Sequence, residues 1–195
     1  FYSVLKTQDE FIRFAFLTGV TKFGKVSVFS DLNNLVDISM DARYQTICGI
    51  TGGELHRYFD EGIRHVVETN GLNDEDACRE LEKRYDGYHF RQNGMGVYNP
   101  FSLLNTFATG EFGSYWFETG TPTFLVRLMQ RDNFYLPELT DQQVSGDFLN
   151  SIDSVDRSPI PVMYQSGYLT IKDYDSRFKF YTLGFPNEEV EKGFT

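Results

Sequence analysis

Two cysteines and three histidines are too few for most metal or disulfide chemistry. Cys48 and Cys78 stand far apart and build no disulfide framework; they suit a reducing compartment and are expected as small buried apolar residues. His56, His65 and His89 fall in neither Cys-x-x-Cys nor His-Glu-x-x-His spacing, which excludes the common zinc centres. Gly-x-Ser-x-Gly is missing, so no nucleophile elbow is present. Glu-x-Lys is missing too, and with it the metal-and-base pair of a restriction-type nuclease. No apolar run approaches the roughly 20 residues of a membrane span, and no signal peptide is visible. Basic residues are the minority, 18 Lys and Arg against 28 Asp and Glu. The resulting net charge of −10 argues against strong binding to nucleic acid or an anionic membrane, which takes clustered cations.

What is present belongs to a folded globule: 41% hydrophobic and 16% aromatic residues. The chain opens on Phe1 and closes on an incipient helix, and is read as an excerpt of a longer protein. Phe1 to Leu5 reads as a helix end and Phe11 to Leu17 as a buried strand. Thr51-Gly52-Gly53-Glu54 has capping-box form, followed by Leu55, Tyr58, Phe59, Ile63, Val66 and Val67 at helical spacing up to Gly71. A second helix is predicted from about Asn73 to Tyr85, its acidic start suiting the macrodipole. The aromatic stretch Tyr85 to Phe90 reads as packing rather than a base-stacking platform. Asn99-Pro100 and Thr121-Pro122 each have cap-plus-first-turn chemistry, and Gly110 ends the former helix. Residues 132–158 read as a polar connection. Pro161 to Gln165 is a short helix stopped by Gly167, and Tyr168 to Lys172 with Phe178 to Leu183 form a hairpin. Asn187 caps the last helix.

One stretch, "GVTKFGKVS" from Gly19 to Ser27, nearly spells a phosphate-binding loop. Gly19, Gly24 and Lys25 fit, but Val26 occupies the hydroxyl position that must hold Mg²⁺. No convincing strand in the chain ends in an acidic partner for it.

The segments "FLTGVTKFGKVSVFSDLNNLVDIS", "CGITGGEL", "YDGYHF", "VYNPFSLLN", "SYWFETGTPTFLV" and "YQSGYLTIKDYD…YTLGFPNEEV" resemble a bacterial AAA-ATPase-like family, common in Bacteroidetes, with a PD-(D/E)xK nuclease-like domain at its C-terminus. The resemblance runs through essentially the whole chain and implies a middle slice of such a protein. By it, residues 1–50 are the end of an α/β P-loop ATPase core and residues 51–131 a mainly α lid. Residues 132–158 connect that lid to residues 159–195, a winged-helix-like α+β module beginning the C-terminal helix. The family more usually has Ser where Gly24 stands, so the resemblance moves interest to Thr18, Thr21 and Lys22 as nucleotide-sensing candidates. Asn99 and Pro100 are the adenine-contact candidates, with Tyr98 where related ATPases have Gly. The implied cofactors, ATP and Mg, belong to the full-length parent, and none is expected on the excerpt alone. The implied partners are the parent's own N-terminal ATPase core and C-terminal nuclease-like domain, with nucleic acid reached only through the parent and no membrane. The expected role is a non-catalytic lid and sensor portion in a cytoplasmic protein. The alternative is a protein or nucleic-acid interaction module without nucleotide dependence.

Overall fold

A computed structural model describes residues 5, 7–19, 35–120, 142–149 and 158–194. Helix α1 (Gly52–Tyr58) starts on the predicted capping box: Thr51 accepts from Glu54 N, and the Glu54 carboxylate accepts from Thr51 N. The expected single helix is in fact two, because the chain breaks at Phe59 before α2 (Asp60–Asn70). The break turns Tyr58 outward and stacks the Phe59 ring on Phe107, with centroids 5.6 Å apart. Gly71 ends α2 in the left-handed conformation, and Asn73 caps α3 (Asp74–Tyr85). Helix α4 (Pro100–Thr109) begins on Asn99 and stops at Gly110 as its sequence dictates. Helix α5 (Tyr115–Gly120) follows after a short turn.

Strand β1 (Gln142–Ser145) and helix α6 (Gly146–Leu149) lie inside the stretch expected to be a polar connection. Four residues with only Val144 buried carry too little alternation to be seen in sequence. Helix α7 (Ile160–Gln165), strands β2 (Thr170–Asp175) and β3 (Phe180–Gly184) and helix α8 (Glu188–Phe194) complete the described elements. The sheet is antiparallel in the order β1-β3-β2, with Val144 opposite Tyr181 and Tyr174 opposite Tyr181 on the other side. The hairpin turn sits at 176–179, later than expected: the Asp175 carboxylate accepts from Arg177 N and Phe178 N.

The apolar side chains fill two clusters. Leu55, Ile63, Leu81, Tyr85, Tyr98 and Leu103 pack the α1–α4 unit. Leu149, Met163, Tyr168, Leu169, Ile171, Leu183 and Val190 pack the hairpin unit, and Trp116 and Phe117 of α5 pack against them. Helix α5 thus leans its rings on the second core while its start belongs to the first.

The predicted strand Phe11 to Leu17 does not form. Asp9–Phe11 is a 3-10 turn, residues 12–19 are irregular, and Phe14 is 81% exposed. A strand needs a neighbour, and among the described residues none pairs with this one. All but Leu5 of the helix end expected at Phe1 to Leu5, and the helix expected from Thr121, lie outside the described residues. Cys48 is exposed rather than buried, Cys78 is half-buried, and both are free thiols.

Gly87 has φ +98°, and a Cβ there would stand 2.2 Å from the Pro186 carbonyl oxygen. Gly87→Ala is therefore expected to destabilise the chain by at least about 2 kcal/mol, read as a lower urea midpoint with unchanged slope.

Candidate functional site

The two units meet at a polar joint built by the segment that leaves α3. The left-handed turn at Gly87 brings Tyr88 alongside Val97, and Tyr88 N donates to Val97 O at 3.3 Å. His89 N donates to Thr170 Oγ1 at 2.7 Å, and that hydroxyl donates back to His89 O at 3.1 Å. Asn187 Nδ2 donates to Asp86 O at 3.0 Å while its Oδ1 accepts from Val190 N, so one amide caps α8 and holds the segment. Lys172 Nζ donates to Pro186 O at 3.1 Å. A backbone segment from the first unit is thereby tied to β2 and to the start of α8.

Glu189 is the centre of this joint and is only 4% exposed. Its Oε1 accepts from Ser102 Oγ of α4 at 2.9 Å and from Trp116 N and Phe117 N of α5 at 2.8 and 3.3 Å. A carboxylate on α8 therefore supplies the N-terminal acceptor for a helix more than seventy residues earlier. Beneath it, the fully buried Tyr85 hydroxyl donates to Gly113 O and accepts from Gly113 N and Thr106 Oγ1. That ring fixes the turn that launches α5.

Three buried polar atoms among the described residues have no hydrogen-bond partner, and all belong to this joint: Asp86 Oδ1, Tyr88 Oη and Glu189 Oε2. Unpaired buried oxygens cost roughly 1–3 kcal/mol each, so their gathering in one place asks for a reason. Burial raises the Glu189 pKa above the ordinary glutamate value and raises the Tyr88 phenol. Its neighbour in sequence behaves oppositely: Glu188, bonded to Lys192 and Lys83 at 2.6 Å each, is held at about 2. Burial also lowers His89 and Lys172. A Cβ on Gly96 would stand 3.2 Å from His89 Nε2 and 3.4 Å from Asp86 Oδ1, so a side chain at Gly96 would push between those two groups.

The residues singled out in the sequence are not brought together. Thr18 lies in exposed irregular chain, and Thr21 and Lys22 lie outside the described residues. Asn99 is buried, and its Oδ1 accepts from Phe101 N and Ser102 N as the cap of α4, with Pro100 half-buried in the first turn. Asn99 Oδ1 is thus engaged as a helix cap, and Thr18 stands in open chain. No group of three His, Cys, Asp or Glu that could hold a metal gathers among them. Ser102 and Glu189 drew no notice in the sequence, because their contact spans 87 positions, and Tyr88 was read there only as part of an aromatic packing stretch. Only the clustering of Tyr, Asp and Gly in "YDGYHF" hinted that this segment is specialised. A separate groove of about 670 Å³ runs between α1, α2 and α4, lined by Arg57, Tyr58, Asp60, Arg64, Leu104 and Phe107. Its charges are mixed and it lies away from the joint.

No helix among the described residues is long and apolar enough to cross a membrane. The chain is a mixed α/β protein, a helical unit and a hairpin unit held by a buried polar joint. It is 43% identical over 192 residues to an uncharacterized protein in the vnfD 5′ region of Azotobacter chroococcum mcd 1. That likeness takes in 97% of this chain but 35% of the relative's length. No protein-family model matches the chain, and no solved structure matches it.

The Glu188 pairs set an acid limit. Its folded pKa is depressed, so its stabilisation is complete above the ordinary value of 4.5 and is lost as pH falls toward about 2. Glu188→Gln should flatten the stability-against-pH curve over that acid window and leave the neutral limb unchanged, as followed by thermal melts.

Proposed function

We propose that this chain is the non-catalytic lid and sensor portion of an AAA-ATPase-like protein, relaying nucleotide state toward a C-terminal nuclease-like domain. The observation that supports it is the Glu189 joint. A relay needs elements that move as one body, and Glu189 ties the start of α8 to α4 and α5 by three hydrogen bonds. The order β1-β3-β2, with α6 and α7 between β1 and β2, supports reading the hairpin unit as winged-helix-like. The exposed Phe11, Phe14, Phe16 and Leu17 support a surface that the ATPase core of a longer protein covers. That the chain matches 35% of a longer relative fits a slice of a larger polypeptide. In this reading ATP and Mg are held by the parent, in the cytoplasm.

A second reading, an interaction module without nucleotide dependence, draws on the hairpin turn, where Arg177, Phe178, Lys179 and Phe180 are all exposed. Against its nucleic-acid form, α7 buries Ile160, Pro161, Val162 and Met163 and carries no basic residue to read a groove.

Hydrogen exchange on the full-length protein, with and without ATP and Mg, separates these readings. The relay predicts altered protection in both α4–α5 and α8, reduced about tenfold or more at α8 by Glu189→Ala, and a nucleotide response weakened more by Lys22→Ala than by Lys25→Ala. Exchange that does not respond to nucleotide would instead favour the second reading.

A further inference from the structure

Helix α4 inverts the usual order of a surface helix, which hides its apolar face and shows its polar one. Inward it turns two hydroxyls, Ser102 Oγ donating to Glu189 and Thr106 Oγ1 donating to Tyr85 Oη, together with Leu103. Outward it turns Phe101, Leu104 and Ala108, three apolar residues at i, i+3 and i+7. Phe101 is 47% exposed and Leu104 46%, and Tyr58, which lines the same groove as Leu104, is 64% exposed. The polar side of α4 serves the joint, so its apolar side is left at the surface. A contiguous apolar patch of this kind marks an interaction surface.

The groove of about 670 Å³ between α1, α2 and α4 continues that patch. Its floor is the Phe107 ring, which stacks on Phe59 and lies so close to α2 that a Cβ on Gly62 would stand 2.5 Å from it. Besides His65, the rim carries two cations, Arg57 and Arg64, and two anions, Asp60 and Glu61. Elsewhere in the molecule acids and bases four apart on a helix do pair: Glu75 with Arg79 and Glu80 with Arg84 on α3, Glu188 with Lys192 on α8. Asp60 and Arg64 have that spacing on α2 and do not pair; Arg64 Nε donates instead to the Asp60 backbone oxygen, at 3.4 Å. Arg57 lies over the Tyr58 ring, 5.3 Å from its centroid. None of these four charges makes an ion pair among the described residues.

The signs of those charges select the occupant. A nucleic acid or an acidic segment would set its charge against Asp60 and Glu61, and a basic partner would meet Arg57 and Arg64. A rim bearing two charges of each sign is matched by the same rim reversed, which a two-fold axis supplies. We propose that the outer faces of α1, α2 and α4 pair with the same faces of a second copy of this chain, Arg57 and Arg64 of each copy lying opposite Asp60 and Glu61 of the other. Tyr58, Phe101 and Leu104 are then the apolar centre of the interface, and the four charges are its polar rim. This interface lies on the opposite side of α4 from Glu189, and it stands whether or not the chain relays nucleotide state.

Sedimentation velocity on the whole chain, from about 1 µM to about 100 µM, tests the pairing. Wild type should convert to a species of twice the chain's mass as concentration rises. Leu104→Glu puts a charge at the apolar centre and should abolish that species, with the far-ultraviolet spectrum unchanged because Leu104 is exposed in the single chain. Arg64→Glu and Asp60→Lys should each weaken the dimer by about tenfold or more, since each sets like charges face to face twice. An equimolar mixture of those two variants should restore it, because opposite charges then meet at both contacts. A wild-type chain that stays monomeric over the whole range overturns the proposal. A dimer that Leu104→Glu leaves intact overturns the assigned face, and failure of the mixture to restore the dimer overturns the two-fold arrangement.

Discussion

Glu189 Oε1 accepts from a hydroxyl on α4 and two backbone N–H groups at the start of α5, and the relative placement of the two apolar cores follows from those bonds. Helix α5 is six residues long, too short to stand by itself in water. Its N-terminal donors are satisfied from α8 and its rings are packed by Tyr168 and Phe194. Remove the carboxylate and Ser102 Oγ and Phe117 N lose their acceptor, while Trp116 N is left only its longer bond to Ser102 Oγ at 3.1 Å. The docking of Asp86 to His89 onto Thr170 and Asn187 works in parallel, so the joint is tied both through a side chain and through main chain.

Glu188 and Glu189 show how one turn of helix separates two identical groups. Glu188 points to the rim, where two lysines hold it ionised well below the ordinary range. Glu189 points inward, meets only neutral donors and is driven toward its protonated form by burial. The acid-labile contact is the outer one and the acid-favoured contact the inner one.

Local chemistry was legible in the sequence wherever a cap or a turn carries it. Thr51 with Glu54, Asn73, Asn99 with Pro100, Gly71, Gly110 and Gly167 all stand where helices begin or end. The break at Phe59 was not legible, because Phe59 keeps the apolar spacing while its ring serves α4 rather than the α1 axis. Phe11 to Leu17 has a strand's composition with no neighbour among the described residues, so composition outran structure there. Strand β1 erred the other way, its pairing being set by β3 some forty residues on. The joint escaped sequence reading altogether, since nothing near Ser102 or Trp116 announces a partner on α8.

Because the joint couples them, the two cores are expected to unfold as one body. Trp116 is the single tryptophan and packs against the hairpin core, while most described helix lies in the other unit. Equilibrium unfolding in urea, followed by Trp116 fluorescence and by far-ultraviolet circular dichroism, tests the coupling directly. Superimposable transitions that separate in Glu189→Ala are the predicted result. Two distinct transitions in the wild-type chain would show that the cores are not coupled.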